Sequence, residues 1–267
     1  MKKRALIVGI SNYGGRVVGL DSPDREILEW RDLLVDTYGF PSHCVRLLAN
    51  ERARKKELKK RLKWLLLDAK PGDQLVFIYC GHGIRLPERN PDTGELIDHM
   101  DEALLCFPLP DEDLASVAFY DDDLFKLLGD QVLPRDAKVT FILDCCFGGG
   151  FNLRDIPRRP KPLTVDLPHD LEHRLCHRKE QPDLHYTDTA VPVLVSAAGE
   201  LNLAVEIEID GVKRSNFSYH AIEALRKEPD LSYFELLGTI REPIEAVYPQ
   251  YPAVKGNARR RNHPFLT

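Results

Sequence analysis

The residues of this chain that could carry out chemistry are a histidine and a cysteine, each just past a short apolar run. The stretch "VFIYCGHGI" puts His82 between two glycines, and "FILDCCFGGG" puts Cys146 behind an acid and ahead of a glycine run. A cysteine nucleophile needs a nearby base, because the thiolate is the reactive form and a free thiol of pKa about 8.5 is mostly protonated at neutral pH. The pair therefore predicts nucleophilic catalysis by a thiol.

Both residues follow segments that have the composition of strands buried on two faces. Such near-continuous apolar runs occupy residues 4–10, 74–80, 139–145 and 191–198, with a shorter strand predicted at 44–49. Residues 24–40 and 53–73 carry apolar side chains at helical spacing. This alternation predicts an α/β fold with a central, mostly parallel sheet flanked by helices on both faces, and ligands of such sheets bind at the carboxyl ends of the strands.

Two segments interrupt this alternation. Residues 84–123 are rich in Pro and Asp and contain one predicted short strand, "EALLCF". Residues 150–190 have no apolar period and are predicted to form an exposed, mobile loop. After this loop we predict a hairpin around Asp210 and Gly211, followed by helices at about 217–227 and 232–247.

The glycines beside the two reactive residues also suggest a role. Because glycine has no side chain, Gly83 and the run after Cys146 would let a substrate backbone come close. The backbone amides of Gly83 and Cys146 are candidates for stabilising an oxyanion. Either motif alone has a structural interpretation, since a cysteine at a strand end is often a small buried hydrophobe. Both motifs at neighbouring strand tips favour a catalytic site.

Composition and charge exclude several classes of protein. A net charge of −5 and a pI near 6.0 argue against nucleic-acid binding, and the basic runs are interpreted as a solvated helix face and an exposed loop. The N-terminus does not have the pattern of a signal peptide, and no apolar stretch is long enough to span a membrane. Six cysteines without a secretion signal predict reduced thiols in a cytoplasmic protein, with Cys80 and Cys106 in the core.

Several stretches together resemble the metacaspases and related caspase-like cysteine peptidases. "FIYCGHG" resembles their F-x-Y-S-G-H-G, and "FILDCCFGG" resembles their D-S-C-H-S-G, with Cys145 in place of the serine and Phe147 in place of the histidine. "GELIDHMDEALLCFP", "YDDDLFKLL" and "VLVSAAGELNLAVE" are similar to later family motifs, and the resemblance covers nearly the whole chain.

This resemblance implies a caspase-like fold and the hydrolysis of peptide bonds through an acyl-enzyme. His82 would act as general base and proton donor, Cys146 as the nucleophile, and Cys145 as a packing residue. Residues 1–267 would form one peptidase domain, with a large-subunit-like part (1–149), a flexible linker (150–190) and a small-subunit-like part (191–267). Its partners would be protein or peptide substrates, with no nucleic acid and no membrane, and the chain would be a monomer.

Metacaspases cut after Arg or Lys because their specificity pocket is acidic, so the resemblance also implies pocket residues. One pocket acid corresponds to Asp144. The other falls in "LDSPDRE", where Glu26 takes the family's aspartate position and Asp24 lies two residues earlier. Because two carboxylates can bind a guanidinium bidentately, we expect Arg to be preferred over Lys. The structural alternative, that Asp24 and Glu26 begin a helix and complement its dipole, stays open.

Further acids and bases suggest calcium activation and self-processing. Asp101, Asp121, Asp122 and Asp155 lie where many metacaspases keep calcium ligands, so Ca²⁺ is a candidate activator, although no cofactor is required for the chemistry. The 150–190 loop offers self-cleavage positions at Arg154, Arg158, Arg159, Lys161, Arg174, Arg178 and Lys179. A zinc site in "HDLEHRLCHRK" is disfavoured because the sequence has no second half-site.

The alternative function belongs to a different class, a catalytically silent caspase-like scaffold or regulatory module. Its support is Phe147 and the altered stretch from Leu20 to Glu26, and the presence of both His82 and Cys146 weighs against it. A nucleotide-binding domain is disfavoured because "GISNYGG" does not place its glycines as a phosphate loop requires.

Overall fold

The computed structural model describes residues 1–89, 96–130, 133–146, 192–198, 203–256 and 258–266. The strands are β1 (Lys3–Gly9), β2 (Val45–Ala49), β3 (Gln74–Cys80), β4 (Gly83–Arg89), β5 (Leu96–Leu105), β6 (Ala118–Tyr120), β7 (Lys138–Asp144), β8 (Val193–Ser196), β9 (Glu206–Ile209), β10 (Val212–Ser215) and β11 (Ala253–Lys255). The α-helices are α1 (Pro23–Asp32), α2 (Lys55–Leu66), α3 (Leu114–Val117), α4 (Asp121–Asp130), α5 (Asn216–Lys227), α6 (Tyr233–Val247) and α7 (Ala258–Arg261).

The main sheet has six strands in the order β11-β8-β7-β3-β1-β2. All neighbours in it run parallel except β11, which pairs antiparallel with β8. In the register of β3 and β7, Cys80 lies opposite Asp144. His82 and Cys146 are each two residues beyond this pair, so the carboxyl edge of the sheet holds both.

Helices cover both faces of this sheet, as the sequence predicts. Alternate residues of β1 point to opposite sides, so that Leu6 joins a core with Leu58 and Leu62 of α2, while Ile7 joins a second core with Trp30 of α1. All five of these side chains are essentially fully buried. Burying each such side chain contributes roughly 1.5–3 kcal/mol, so the two cores hold the strand tips in fixed positions.

The segment 84–123 differs from the single short strand predicted there. Strands β4, β5 and β6 form a separate three-stranded antiparallel sheet, in which "EALLCF" overlaps the end of β5. Strand β4 is difficult to predict from sequence because it contains Pro87, which has no backbone N–H to donate to a neighbouring strand. As an edge strand whose register shifts between Pro87 and Arg89, β4 accommodates the proline.

The C-terminal third confirms its predictions. Strands β9 and β10 form the predicted hairpin, and its turn residues Asp210 and Gly211 have φ of 53° and 74°. Two consecutive residues at positive φ match the right-handed twist of a hairpin, and Asp-Gly is a favoured pair for this turn. Helices α5 and α6 occupy the predicted positions. The predicted 150–190 linker lies outside the described residues.

No helix among the described residues has both the length and the apolar character needed to cross a bilayer.

Candidate active site

The tips of β3 and β7 meet at the carboxyl edge of the main sheet. The Gly81 amide donates to the Asp144 carbonyl at 3.2 Å, which extends the pairing past both strands. Gly83 lies directly against Cys146, since a Cβ built on Gly83 would be 1.8 Å from the Cys146 carbonyl oxygen. Only glycine fits there, so the residue after His82 packs directly against the backbone of Cys146. This contact involves the carbonyl of Cys146, and the oxyanion role expected of the Gly83 and Cys146 amides stays a prediction.

The backbone of His82 is fixed by two tyrosines. Its amide donates to the Tyr13 hydroxyl at 2.8 Å, and its carbonyl accepts from the Tyr79 hydroxyl at 2.8 Å and from the Leu105 amide at 3.0 Å. The Tyr13 ring also packs against the imidazole, with centroids 5.0 Å apart. Tyr13, Tyr79 and His82 are buried, so these bonds are shielded from water and hold the Gly-His-Gly turn in one conformation.

The imidazole of His82 is oriented by a backbone carbonyl. Its Nε2 is 2.8 Å from the Val18 oxygen, and because a carbonyl can only accept, Nε2 must carry the proton. Burial lowers the pKa of His82, against the opposing effects of the Val18 carbonyl and the charge of Glu206. The lowered pKa favours the neutral ring, in which Nδ1 is the nitrogen without a proton.

Within the described residues, the Cys146 thiol hydrogen-bonds to the backbone of Ala204. Its S–H donates to the Ala204 carbonyl and its sulfur accepts from the Ala204 amide, both at 3.1 Å. Burial raises the pKa of Cys146 to about 11, the charge of Asp144 adds to this, and the Ala204 amide opposes it. The thiol is thus protonated at neutral pH in this arrangement. The adjacent Cys145 is 2% exposed and packs in the core with Leu143.

Two of the three predicted pocket acids, Asp144 and Glu26, lie close to each other, and Asp144 is two residues before Cys146. Asp144 and Glu26 are 6% and 1% exposed; Asp144 accepts from the Ser218 hydroxyl, and Glu26 Oε1 accepts from the Ser215 amide at 2.8 Å. Glu26 Oε2 is buried without a hydrogen-bond partner in the described part of the chain. Burial raises the pKa of Glu26 to about 8, and the charge of Asp144 raises it further. Burial also raises the pKa of Asp144.

A third acid, Glu206 at the start of β9, belongs to this group and was missed from the sequence. Its Oε1 accepts from the amides of Asp21 and Ser22, at 2.9 and 2.6 Å. Its charge raises the pKa of both Asp144 and His82. The signal was present in the family-like stretch "VLVSAAGELNLAVE", which ends on this glutamate, but nothing in spacing alone links it to Asp144 across more than sixty residues.

Asp24 faces a different network. It is exposed, and its carboxylate accepts from the Asn50 side-chain amide at 2.9 Å. The oxygen of the same Asn50 side chain accepts from the amides of Ser11 and Asn12 at 2.9 and 3.0 Å, and Asn50 itself has a φ of 46°. Asp24 and Glu26 also lie in the first turn of α1, as the structural alternative predicted.

The four candidate calcium ligands are only partly within the described residues. Asp101 is in β5, and Asp121 and Asp122 begin α4, directly after β6. Because Ala103 pairs with Tyr120, the backbones of these three acids lie at one edge of the small sheet. Their side chains and all of Asp155 lie outside the described part, as do the histidines and cysteine of the zinc alternative.

Comparison with solved structures identifies the class of fold. A protein of Geobacter sulfurreducens aligns over 100% of this chain and 99% of its own with a TM-score of 0.67 at 17% identity. Caspase-1 of Spodoptera frugiperda aligns over 95% of this chain and 86% of its own with a TM-score of 0.58 at 12% identity. The chain therefore has a caspase-like α/β fold, as predicted.

Sequence comparison then identifies the family. The profile of the metacaspase, peptidase C14 domain matches residues 3–154, and the chain belongs to this family of cysteine peptidases. Metacaspase-1 of Schizosaccharomyces pombe is 22% identical over 94% of this chain and 66% of its own length. Metacaspase-3 of Arabidopsis thaliana is 32% identical over 58% of this chain and 42% of its own length. The chain thus spans less than two thirds of the length of these curated relatives.

Proposed function

We propose that this chain is a cysteine endopeptidase that cleaves after arginine, and less well after lysine, with Cys146 as nucleophile and His82 as base. The family supports the reaction class, and the neighbouring strand tips support the pair. His82 Nδ1 takes the thiol proton as sulfur attacks the substrate carbonyl, and returns it to the leaving amine. Water activated by the same nitrogen then hydrolyses the acyl-enzyme and restores the thiol.

The observation that carries the specificity is the buried acidic group beside Cys146. The charge of Asp144 raises the pKa of Glu26, the charge of Glu206 raises the pKa of Asp144, and within the described residues one buried oxygen of Glu26 has no hydrogen-bond partner. With a pKa of about 8, Glu26 keeps its proton at neutral pH while the pocket is empty, and a bound guanidinium, which supplies several donors in a planar fork, would favour the charged carboxylate. An arginine side chain would therefore form both an ion pair and hydrogen bonds here, whereas the ammonium of lysine offers a point charge.

The resting thiol must leave Ala204 for this reaction to begin. While its pKa is about 11, only a small fraction is thiolate, so displacement of the Ala204 backbone and transfer of the proton to His82 form part of the catalytic step. A substrate that binds in the acidic group lies next to Cys146 and is positioned to make that displacement.

The first experiment measures hydrolysis of fluorogenic peptides that differ only in having Arg, Lys or Asp before the scissile bond. We expect wild type to hydrolyse the Arg peptide fastest, the Lys peptide more slowly and the Asp peptide slowest. Cys146→Ala should show no turnover. Asp144→Ala should lose the preference for Arg while it keeps the thiol reactive toward a small alkylating agent. Unchanged cleavage after Arg by Asp144→Ala would contradict the pocket assignment.

Further properties are proposed here, each with a direct test. Calcium activation is supported by the shared edge of Asp101, Asp121 and Asp122, and activity that is unchanged by a chelator would exclude it. Self-cleavage within 150–190 is supported by its seven basic residues, and an intact band in active wild type would exclude it. We also propose a cytoplasmic monomer, which fractionation and light scattering would check.

The alternative of a silent scaffold is not favoured by the metacaspase relationship. Absence of turnover on every basic peptide, with calcium and after treatment with a reductant, would favour it.

A further inference from the structure

A groove is lined by the basic face of α2, the helix that packs on the opposite face of the main sheet from α1. It has a volume of ≈ 800 Å³ and lies between α2 and the segment that runs from Phe107 to Val117. Phe107 and Val117 contribute apolar lining, and the cationic side chains come from Arg54 onward along the helix.

The cations of α2 fall into two sets. Arg54 pairs with Glu112, while Lys55 and Lys59 both pair with Asp123 at 3.1 and 2.6 Å. These pairs fasten the helix to the opposite wall of the groove and to α4, and they neutralise part of the charge. They are half-buried contacts with a structural role.

The second set is Lys56, Lys60 and Lys63, which are exposed and line the same groove. Within the described chain, none of the ion pairs involves these three lysines. Their spacing of four and three residues puts them in one row about 10 Å long on the helix surface. A row of like charges costs electrostatic free energy in the absence of an anionic partner, so it favours one.

We propose that this groove binds an acidic peptide segment of a partner protein, in extended conformation, with apolar residues between its acids. In an extended peptide, alternate side chains are about 7 Å apart on one face, so two acids on that face would lie within the length of the lysine row, which is about 10 Å. Its acids would face Lys56, Lys60 and Lys63, and its apolar side chains would pack on Phe107 and Val117. The apolar lining favours a peptide over a nucleic acid, which would need only the cations.

The probe is a fluorescein-labelled peptide of alternating Glu and Leu, which contains no basic residue to be cleaved and so tests binding independently of peptidase activity. Its affinity for the full chain is measured by fluorescence anisotropy. A peptide of alternating Glu and Ser tests the apolar lining, and single-stranded oligothymidylate tests general polyanion binding.

The variant Lys56→Glu/Lys60→Glu/Lys63→Glu should bind the Glu-Leu peptide at least about tenfold more weakly than wild type. Its matched control, Lys70→Glu/Lys213→Glu/Lys227→Glu, reverses three exposed lysines outside the groove and should bind as wild type does. Circular dichroism of both variants checks that each is folded. Weaker binding of the Glu-Ser peptide would support the apolar contact.

Three outcomes would overturn the proposal. A flat titration with wild type would show that no such site exists, and an equal loss in both triple variants would show a dependence on net charge alone. Oligothymidylate that binds as tightly as the Glu-Leu peptide would instead identify a general polyanion surface.

Discussion

The imidazole and the thiol of the candidate site lie on adjacent strand tips, but the protein holds them in different ways. His82 is fixed through its amide, its carbonyl and its ring, by Tyr13, Tyr79 and Val18. The Cys146 thiol is held by hydrogen bonds to the backbone of Ala204. His82 is therefore held in the tautomer that the proposed mechanism needs, whereas Cys146 rests as a protonated thiol, so the activation that we propose has to occur on the thiol side.

The largest expected effect comes from moving apart the two strand tips that carry His82 and Cys146. Gly83→Ala would put a Cβ 1.8 Å from the Cys146 carbonyl, so one strand tip must shift, and we expect kcat/KM to fall by at least about a hundredfold. The control is Gly238→Ala in α6, where an added Cβ meets nothing within 4 Å. Near-normal turnover by folded Gly83→Ala would show that the contact does not align the pair.

Glu26 should make the folding stability depend on pH. The pKa of Glu26 rises from 4.5 to about 8 in the folded chain, so the folded state keeps a proton that the unfolded state releases. This contribution is fully present below pH 4.5 and is lost as pH rises through 8, an effect on the order of a few kcal/mol.

Urea unfolding at several pH values, for wild type and Glu26→Gln, isolates this contribution. We expect the free energy of unfolding of wild type to fall relative to the variant between pH 4.5 and 8. A constant difference between the two proteins across that range would show that Glu26 ionises normally and that the acidic group is more hydrated than its burial suggests.

The resting state of the thiol can be measured directly. With a pKa of about 11, Cys146 should react with iodoacetamide at pH 7 roughly a hundredfold more slowly than the same cysteine in urea-unfolded chain. Peptide mapping by mass spectrometry separates Cys146 from the half-exposed Cys44. A rate that already reaches its plateau near pH 7 would place the activated thiolate in the resting protein and remove the asymmetry between the two sides.

The smallest of these effects tests the imidazole side. Tyr13→Phe leaves the buried His82 amide without its acceptor, and we expect kcat to fall about tenfold. KM for an Arg peptide should not change, because the acidic group does not involve Tyr13. A positioning role also predicts a changed pH profile of kcat, whereas a merely structural loss would lower the melting temperature and leave that profile unchanged.

The regular elements of the sheet could be predicted because buried strands and amphipathic helices leave periodic patterns in sequence. Strand β4 could not, since Pro87 has an edge position that only the tertiary pairing defines. The same limit applies to the site. His82 and Cys146 have recognisable neighbours, but Val18 acts through its carbonyl, which every residue possesses, and Glu206 reaches the acidic group only after folding.

Asn50 has a consequence for engineering this protein. The backbone of Asn50 has a left-handed conformation, and its side chain forms hydrogen bonds with Ser11, Asn12 and Asp24. These bonds join the loop after β2 to the loop that carries Tyr13 and Val18. Asparagine tolerates that conformation better than most residues and has both the acceptor and the donor that the bonds need. Residues 11–24 and Asn50 thus form one exchangeable unit, and loops transplanted from a relative without the matching residue at position 50 would lose their anchor.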